Sequence, residues 1–420
     1  MYNNKLALLG GTPVLDLDSL TPWPIYDETE LSNLTSVLTS HKWGGMNEYG
    51  YITKFEKIFS KYHDNFHALT VSSCTRALIM ALLALGIKEG DEVIVPTMSF
   101  IATATAIALI KAVPIFVDIN EYFCIDINKI KEAYTSKTKA LIVVHAAGHP
   151  CDMYSITNWA SKKNIYVIED CAQALGASYD HKRVGTFGDI SCFSFAETKN
   201  ISSGEGGALL TKSNKLYLRL CELRNHGRSG FPILYKHERL GENNRMTEFQ
   251  AAVLKAQFDR LDTHLQKKNE FAKVFSKELE EQDLSWISIA RSDTKVTVHG
   301  YFWMSLIYQK ERFHNISRET ILNALQAEGI PVCSINYMPY GIHRNPIFTD
   351  NDNPDYCENI KYTTPICDRI HNQLIVVGQA AHSSIMLNLD NTHYITEALN
   401  KIDKQWNKLL LYEMKVNNCV

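Results

Sequence analysis

No window of this 420-residue chain approaches the roughly 20 consecutive apolar residues of a membrane span. The longest apolar stretches, around Ala77 to Leu85 and Ile101 to Ile110, read instead as buried helices. Charge of neither sign prevails: 43 Lys and Arg face 46 Asp and Glu for a net −3, which leaves no broad basic surface for nucleic acid and no acidic tail. Like charges cluster only in pairs such as Lys162-Lys163 and Lys267-Lys268, expected on solvated helix faces. None of the ten cysteines stands at the CxxC spacing of zinc or redox sites, so they read as reduced thiols of a cytoplasmic protein. The start, Met1 to Pro13, offers only the short apolar stretch Leu6 to Leu9, too little for the core of a signal peptide. Internal repeats and low-complexity segments are absent. With 45% hydrophobic and 21% charged residues the chain is neither disordered nor fibrous, and its length suits two or three domains with cores that need no metal or disulfide.

What is present is an alternation. From residue 68 to 210, β-branched runs alternate with helical stretches. Ala68 to Val71, Glu92 to Pro96, Pro114 to Val117, Lys139 to Val144, Ile165 to Ile168, Ile190 to Phe195 and Ala208 to Thr211 read as strands. Strands spaced by helices predict an α/β fold with a mostly parallel sheet of about seven strands, covered on both faces. The continuously apolar Ala140 to Val144 and Ile165 to Ile168 fit strands buried on both sides. Near Thr247 the period becomes helical, with Phe249, Ala252, Val253, Ala256, Leu261 and Leu265 on one face of a long connecting helix. Beyond it, Tyr301 to Tyr308 reads as a strand, Arg318 to Glu328 as a helix ended by Gly329, and Ile395 to Leu409 as a closing amphipathic helix. The expected division is a large domain over residues 1–264 and a smaller α+β domain over 265–420, with an N-terminal arm, about 1–30, able to pack on the small domain.

Ligands of parallel α/β sheets bind at the carboxyl ends of the strands. Four strand ends carry chemistry here. Ser72-Ser73-Cys74-Thr75 precedes a helix and offers backbone N–H groups, hydroxyls and a helix dipole to a phosphate, although a plain N-cap reads the same way. Glu169-Asp170 ends a buried strand, where a carboxylate needs a cationic partner; a surface or capping acid is the alternative. Lys199 stands between Phe193-Ser194-Phe195 and Gly204-Glu205-Gly206-Gly207, where desolvation can make an amine nucleophilic, although a lone lysine is usually solvated. Phe100 follows the strand Val93 to Val95 and can stack on a flat ring or pack in the core. Together a phosphate cradle, an acid, a lysine and an aromatic at one sheet edge are what pyridoxal phosphate requires.

These residues and several longer segments resemble the DegT/DnrJ/EryC1/StrS family of pyridoxal-phosphate-dependent sugar aminotransferases, which have the aspartate aminotransferase (type I) fold. The segments are Leu6 to Gly11, Glu169-Asp170-Cys171-Ala172-Gln173-Ala174 with Gly176-Ala177, Phe193 to Gly207, and Gly241 to Met246 with Glu248 and Gln250. The resemblance implies that Lys199 carries the cofactor as an internal aldimine and shuttles the proton, and that Asp170 keeps the pyridinium protonated. It also implies that Gln173 bonds the phenolic oxygen, Phe100 stacks on the ring, and Thr75, the amide of Cys74 and Ser194 bind the phosphate. Asn243 would reach the phosphate of the other subunit's cofactor, hence a homodimer with shared sites. L-Glutamate or L-glutamine is the implied donor, and a nucleotide-linked keto-sugar or a ketocyclitol the acceptor. The segments Trp43-Gly44-Gly45 and His145-Ala146-Ala147-Gly148 look closer to branches that act on inosose-type cyclitols or make aminohydroxybenzoate.

The chain departs from the family pattern at Cys74, where relatives usually have Gly, and at the following Arg76, which could add charge to the phosphate loop. It departs again at Leu374 to Gly378, which leads to His382 without the Leu-Pro of the substrate-closing turn. His145 and His149 have a metal-like spacing, but a strand precedes them and Gly148 and Pro150 break any helix, so no metal is expected and His145 takes a supporting polar role. His226, and His343 near Tyr337 and Tyr340, could line the substrate entrance. Two further classes compete: a dehydratase or other lyase on a similar substrate, which typically replaces the lysine by His, and a cofactor-binding regulator, which needs a DNA-binding appendage or a degraded site. Lys199 argues against the first, and neither feature of the second is visible.

Overall fold

The computed structural model describes residues 5–44, 49–229, 236–335, 340–350 and 362–417. Gly45, Tyr337, Cys357 and Cys419 lie outside the described residues. Seven strands form the main sheet: β1 (His67–Val71), β2 (Glu92–Pro96), β3 (Val113–Val117), β4 (Thr138–Val144), β5 (Tyr166–Asp170), β6 (Ile190–Ser194) and β7 (Gly207–Thr211). Their order is β1-β7-β6-β5-β4-β2-β3, with β7 antiparallel to both neighbours and the other pairings parallel. All seven predicted strands are present. Every residue of β6, and Ala140 to Val144 of β4, is buried, because helices cover both sheet faces and leave no solvated side for alternation.

The helix Cys74–Leu85, after β1, is buried nearly all round, as its run of Ala, Leu, Ile and Met requires. Ser73 caps its start by accepting the N–H of Arg76 at 3.2 Å, and Gly86 closes it in a left-handed conformation at φ 84°. Another helix, Ala102–Leu109, follows β2.

The long connecting helix is two helices, Glu248–Asp259 and Leu261–Glu281, which meet at Arg260. Arg260 is held by Asp27 and Glu30 near the chain's start, so the break is where the N-terminal segment is tied down. Leu261 and Leu265 pack with Phe55, Phe193 and Phe195, whereas Phe271, Phe275 and Leu279 of the same helix enter a second core. That second core includes Leu6 and Leu15 and surrounds a four-stranded antiparallel sheet, order β8 (Ile287–Ile289), β9 (Met304–Tyr308), β11 (Leu374–Val377), β10 (Val332–Cys333). Strand β9 starts three residues later than predicted, since Tyr301 has φ 37°, outside the extended region. The predicted closing helix is likewise two, Asp390–Asp403 and Trp406–Asn417, divided by a turn in which the N–H of Gln405 reaches back only to the carbonyl of Ile402.

One part of the C-terminal half returns to the large sheet. Ile342, Phe348, Cys367 and Ile370 are buried in the same core as Phe116 of β3. Asp118, just past β3, accepts the N–H groups of Ile366 (2.9 Å) and Cys367 (3.0 Å) and so caps the helix Pro365–Gln373 from across the fold. Among the described residues no helix is long and apolar enough to cross a membrane.

Candidate active site

The carboxyl ends of β4, β5 and β6, the start of the helix Cys74–Leu85 and the segment Gln379-Ala380 enclose a cavity of about 420 Å³. Its lining includes Cys74, Thr75, Phe100, Asp170, Gln173, Ser194 and Lys199, residues singled out from four separate stretches of sequence. The volume falls within the range of small-ligand sites.

Asp170 ends β5 with its side chain toward the cavity and only 5% exposed. Its Oδ2 accepts from the Thr103 hydroxyl at 2.9 Å and its Oδ1 from the N–H of Ala172 at 3.1 Å, and Ser99 lies 2.7 Å behind the Thr103 hydroxyl. Burial raises the pKa of this carboxyl, opposed by those two bonds and by the Lys199 charge. Glu169 precedes it in the strand and therefore points to the opposite face. There its carboxylate accepts from the N–H groups of Gly185 (2.8 Å), Phe187 (2.8 Å) and Gly188 (2.7 Å), from the Ser191 hydroxyl (3.2 Å) and from Nε2 of His145 (3.2 Å). Since Nδ1 of His145 accepts from the N–H of Cys151 at 3.0 Å, the ring proton sits on Nε2, toward Glu169. His145 thus lies behind the strand end and supports it. Its ring, Glu169 and Cys171 have ligand atoms within 4.8 Å of one another, but the carboxylate is already saturated by donors.

Lys199 follows β6 and lines the cavity, its Nζ 4.3 Å from the centroid of the Phe302 ring. Burial lowers its pKa, which increases the share of neutral, nucleophilic amine near neutral pH. Gln173 gives its carbonyl oxygen to the N–H of Ala147 at 2.7 Å, which fixes the side chain in the cavity wall. Phe100 is 46% exposed and lines the cavity.

At the start of the helix Cys74–Leu85 the amides of Cys74 and Thr75 donate to no acceptor among the described residues. They are the free N-terminal donors that an anion uses. The Gly-rich turn explains itself against this helix: a Cβ on Gly207 would lie 2.6 Å from the carbonyl carbon of Ser73 and 2.7 Å from the nitrogen of Cys74. Cys74 itself is buried in the large core with a thiol raised well above its ordinary pKa by burial, so it carries no thiolate.

The other residues named from the sequence lie as follows. Arg76 adds no charge at the cavity, because its guanidinium is paired with Glu242 at 2.5 Å. His343 is buried beside Phe116 and Tyr362, and neither it nor His226 lines the cavity. From the segment before His382, the cavity takes Gln379 and Ala380. Asn243 is exposed and stands apart from the cavity of its own chain. Lys268 is not solvated at all, being 1% exposed. Sequence reasoning missed Ser99, Thr103, Phe302 and Gln379. Only Thr103 left a trace, one of two hydroxyls in a largely apolar helix, three residues after Phe100; Phe302 and Gln379 arrive from distant segments.

Comparison with known proteins extends these observations. Residues 24–381 match the DegT/DnrJ/EryC1/StrS aminotransferase family. A GDP-perosamine synthase of Escherichia coli O157:H7 is 40% identical over 301 residues, 71% of this chain and 79% of that protein. An L-glutamine:2-deoxy-scyllo-inosose aminotransferase of Streptoalloteichus tenebrarius is 30% identical over 424 residues, 94% of this chain and 97% of that protein. Among solved structures, NtdA from Bacillus subtilis, with bound cofactor PMP, superposes with a TM-score of 0.79 at 28% identity, covering 96% of this chain and 87% of that one.

Proposed function

This chain belongs to the DegT/DnrJ/EryC1/StrS aminotransferase family, and we propose that it transfers an amino group from L-glutamate or L-glutamine to the ketone of a nucleotide-linked sugar or a cyclitol, using pyridoxal phosphate held in the 420 Å³ cavity. One observation carries the reading: Lys199, Asp170 and the free amides of Cys74 and Thr75 converge on one cavity. When bound, the cofactor supplies an electrophilic carbon for amines and an electron-accepting ring.

The residues divide the remaining work. Asp170, oriented by Thr103 and Ala172, holds a proton on the ring nitrogen. Thr75, Ser194 and the two amides hold the phosphate, and Phe100 covers the ring. Gln173, braced by Ala147, presents its amide nitrogen to the phenolic oxygen. Lys199 serves as the attachment amine and then as the base and acid that moves the proton, a role its lowered pKa suits. A sugar or cyclitol acceptor accords with the substrates in the names of the two relatives. Asn243, exposed and away from its own cavity, suits service to a second subunit, which supports a homodimer. The passage of one continuous helix from the first core at Leu265 to the second at Phe271 supports a domain border near residue 265.

The test is spectroscopic. The purified protein with pyridoxal phosphate should be yellow, and borohydride should fix an adduct on Lys199, located by peptide mass and lost in Lys199→Ala. L-Glutamate or L-glutamine should change the visible absorbance, and keto-sugar nucleotides and inososes are then screened as acceptors. An adduct that forms while neither donor changes the spectrum would refute the transfer reading and favour lyase or regulatory use of the site.

A further inference from the structure

Lys268 occupies a position that belongs to an apolar side chain. In the helix Leu261–Glu281 the buried positions are Leu261, Leu265, Lys268, Phe271, Ala272, Phe275 and Leu279, a continuous helical stripe with one ammonium in it. Its Nζ donates to three neutral oxygens: Oδ1 of Asn200 at 3.0 Å, the carbonyl of Tyr301 at 3.0 Å and the hydroxyl of Ser383 at 3.5 Å. The three donors of a lysine are thereby used. No carboxylate pairs with it among the described residues. Burial lowers its pKa to about 7.

Each acceptor sits on a segment that shapes the cavity. Asn200 follows Lys199, and its own amide holds the carbonyl of Gly300 at 2.7 Å. Tyr301 precedes Phe302, the ring beneath the Lys199 amine. Ser383 lies three residues beyond Ala380 in the wall. Tyr301 also holds φ 37°, a backbone state that persists only when its surroundings over-determine it. Trp23, 5.7 Å from the ammonium, donates to the carbonyl of Glu197 at 3.2 Å and braces the same loop from the other side.

We propose that Lys268 is a positioning residue: it pins the Lys199 loop, the Phe302 loop and the 379–383 segment to one helix, and so fixes the Lys199 amine for proton transfer. The catalytic consequence rests on the aminotransferase reading, whereas the pinning itself does not. Lys268→Met fills a similar volume and breaks no ion pair, but leaves the three acceptors without their donor and so releases three segments at once.

The experiment compares Lys268→Met, Lys268→Arg and Ser383→Ala in the full chain. Hydrogen exchange without cofactor reads the pinning: in Lys268→Met, peptides over 196–203, 299–303 and 379–386 should exchange together about tenfold faster while β4 and β6 stay protected. Single-turnover rates with saturating donor should fall about 10- to 100-fold, with donor affinity within about twofold, since a misplaced group costs rate rather than binding. Lys268→Arg, which keeps the donors, should recover both readouts. Ser383→Ala removes one bond and should loosen 379–386 alone, a prediction that stands even if Lys268→Met fails to fold. Exchange raised uniformly, or only within the helix, or rates within twofold of the parent, would overturn the proposal. If the parent itself ignores both donors, the aminotransferase reading fails while the exchange result still decides the pinning.

Discussion

Gly207→Ala is the sharpest perturbation of the proposed phosphate cradle, because steric space alone makes the difference. Gly207 opens β7 without a positive φ, so alanine suits its backbone. The added Cβ would nevertheless lie 2.6 Å from the carbonyl carbon and 2.8 Å from the oxygen of Ser73, and 2.7 Å from the nitrogen of Cys74. These are backbone atoms, and reaching an ordinary contact of about 3.5 Å requires β7 and the helix start to part by about 0.8 Å. Overpacking of this kind costs about 1–3 kcal/mol in stability. The same shift moves the Cys74 amide off its anion, and losing one hydrogen bond to a charged group, about 1.5–3 kcal/mol, weakens binding between about 10- and 150-fold. The control is Gly204→Ala in the same turn. Gly204 has φ 77° with nothing within 4 Å, so alanine there pays only the left-handed strain of about 1–2 kcal/mol and leaves affinity unchanged. Denaturant midpoints and equilibrium titration with pyridoxal phosphate measure both variants. Equal affinity of Gly207→Ala and the parent, or an equal loss in the two variants, would refute the assignment of the cradle to this close approach.

Asp170→Asn should separate function from stability. The amide oxygen can still accept from the N–H of Ala172 while its NH2 donates to the Thr103 hydroxyl, which then donates to Ser99, but activity should fall about 10²- to 10³-fold for want of the charge. Because burial raises the pKa of Asp170, its ionised form opposes folding above the ordinary value of 3.8, so the variant without cofactor should show an equal or higher melting temperature at pH 7 and no such advantage near pH 3. Glu169→Ala should do the reverse, leaving three amides, a hydroxyl and the His145 ring without their acceptor, for a loss of about 3–5 kcal/mol in chemical denaturation. Burial opposes the Glu169 charge, yet the His145 bond and the amides of Gly188 and Gly185 prevail and hold the pKa below 4.5. The stabilisation is therefore complete above pH 4.5 and is lost as pH falls through the lowered folded value, a dependence that the alanine variant should lack.

The contrast between these two neighbouring acids shows what a sequence discloses. That Ile165 to Ile168 form a buried strand with Glu169-Asp170 at its end was legible from period and composition, as were all seven strands and the lysine near the Gly-rich turn. Which acid faces the ligand follows from strand alternation once the last strand residue is known. Asp170 proved to be inside β5, so the two carboxylates take opposite faces and opposite pKa shifts. The parts that stayed hidden depend on contacts between distant segments. Phe302 meets Lys199 and the Asp118 cap meets Pro365–Gln373 across about 100 or more residues, and Gln379 joins the cavity from far along the chain, beyond any local pattern.

Lys268 is the instructive case, because its local signal pointed the wrong way. A lysine pair on a helix reads as solvated, and Lys267 on the adjoining face keeps to that reading. Yet 268 continues the spacing of 261, 265, 272, 275 and 279, and a polar residue in phase with an apolar stripe is a conflict between local chemistry and global pattern. Such conflicts are retained where three neutral acceptors must be gathered at one point, which neither methionine nor leucine can do. The mismatch, a lysine in the apolar stripe whose ammonium bonds Asn200 beside Lys199, is thus itself a sequence-level pointer to the site.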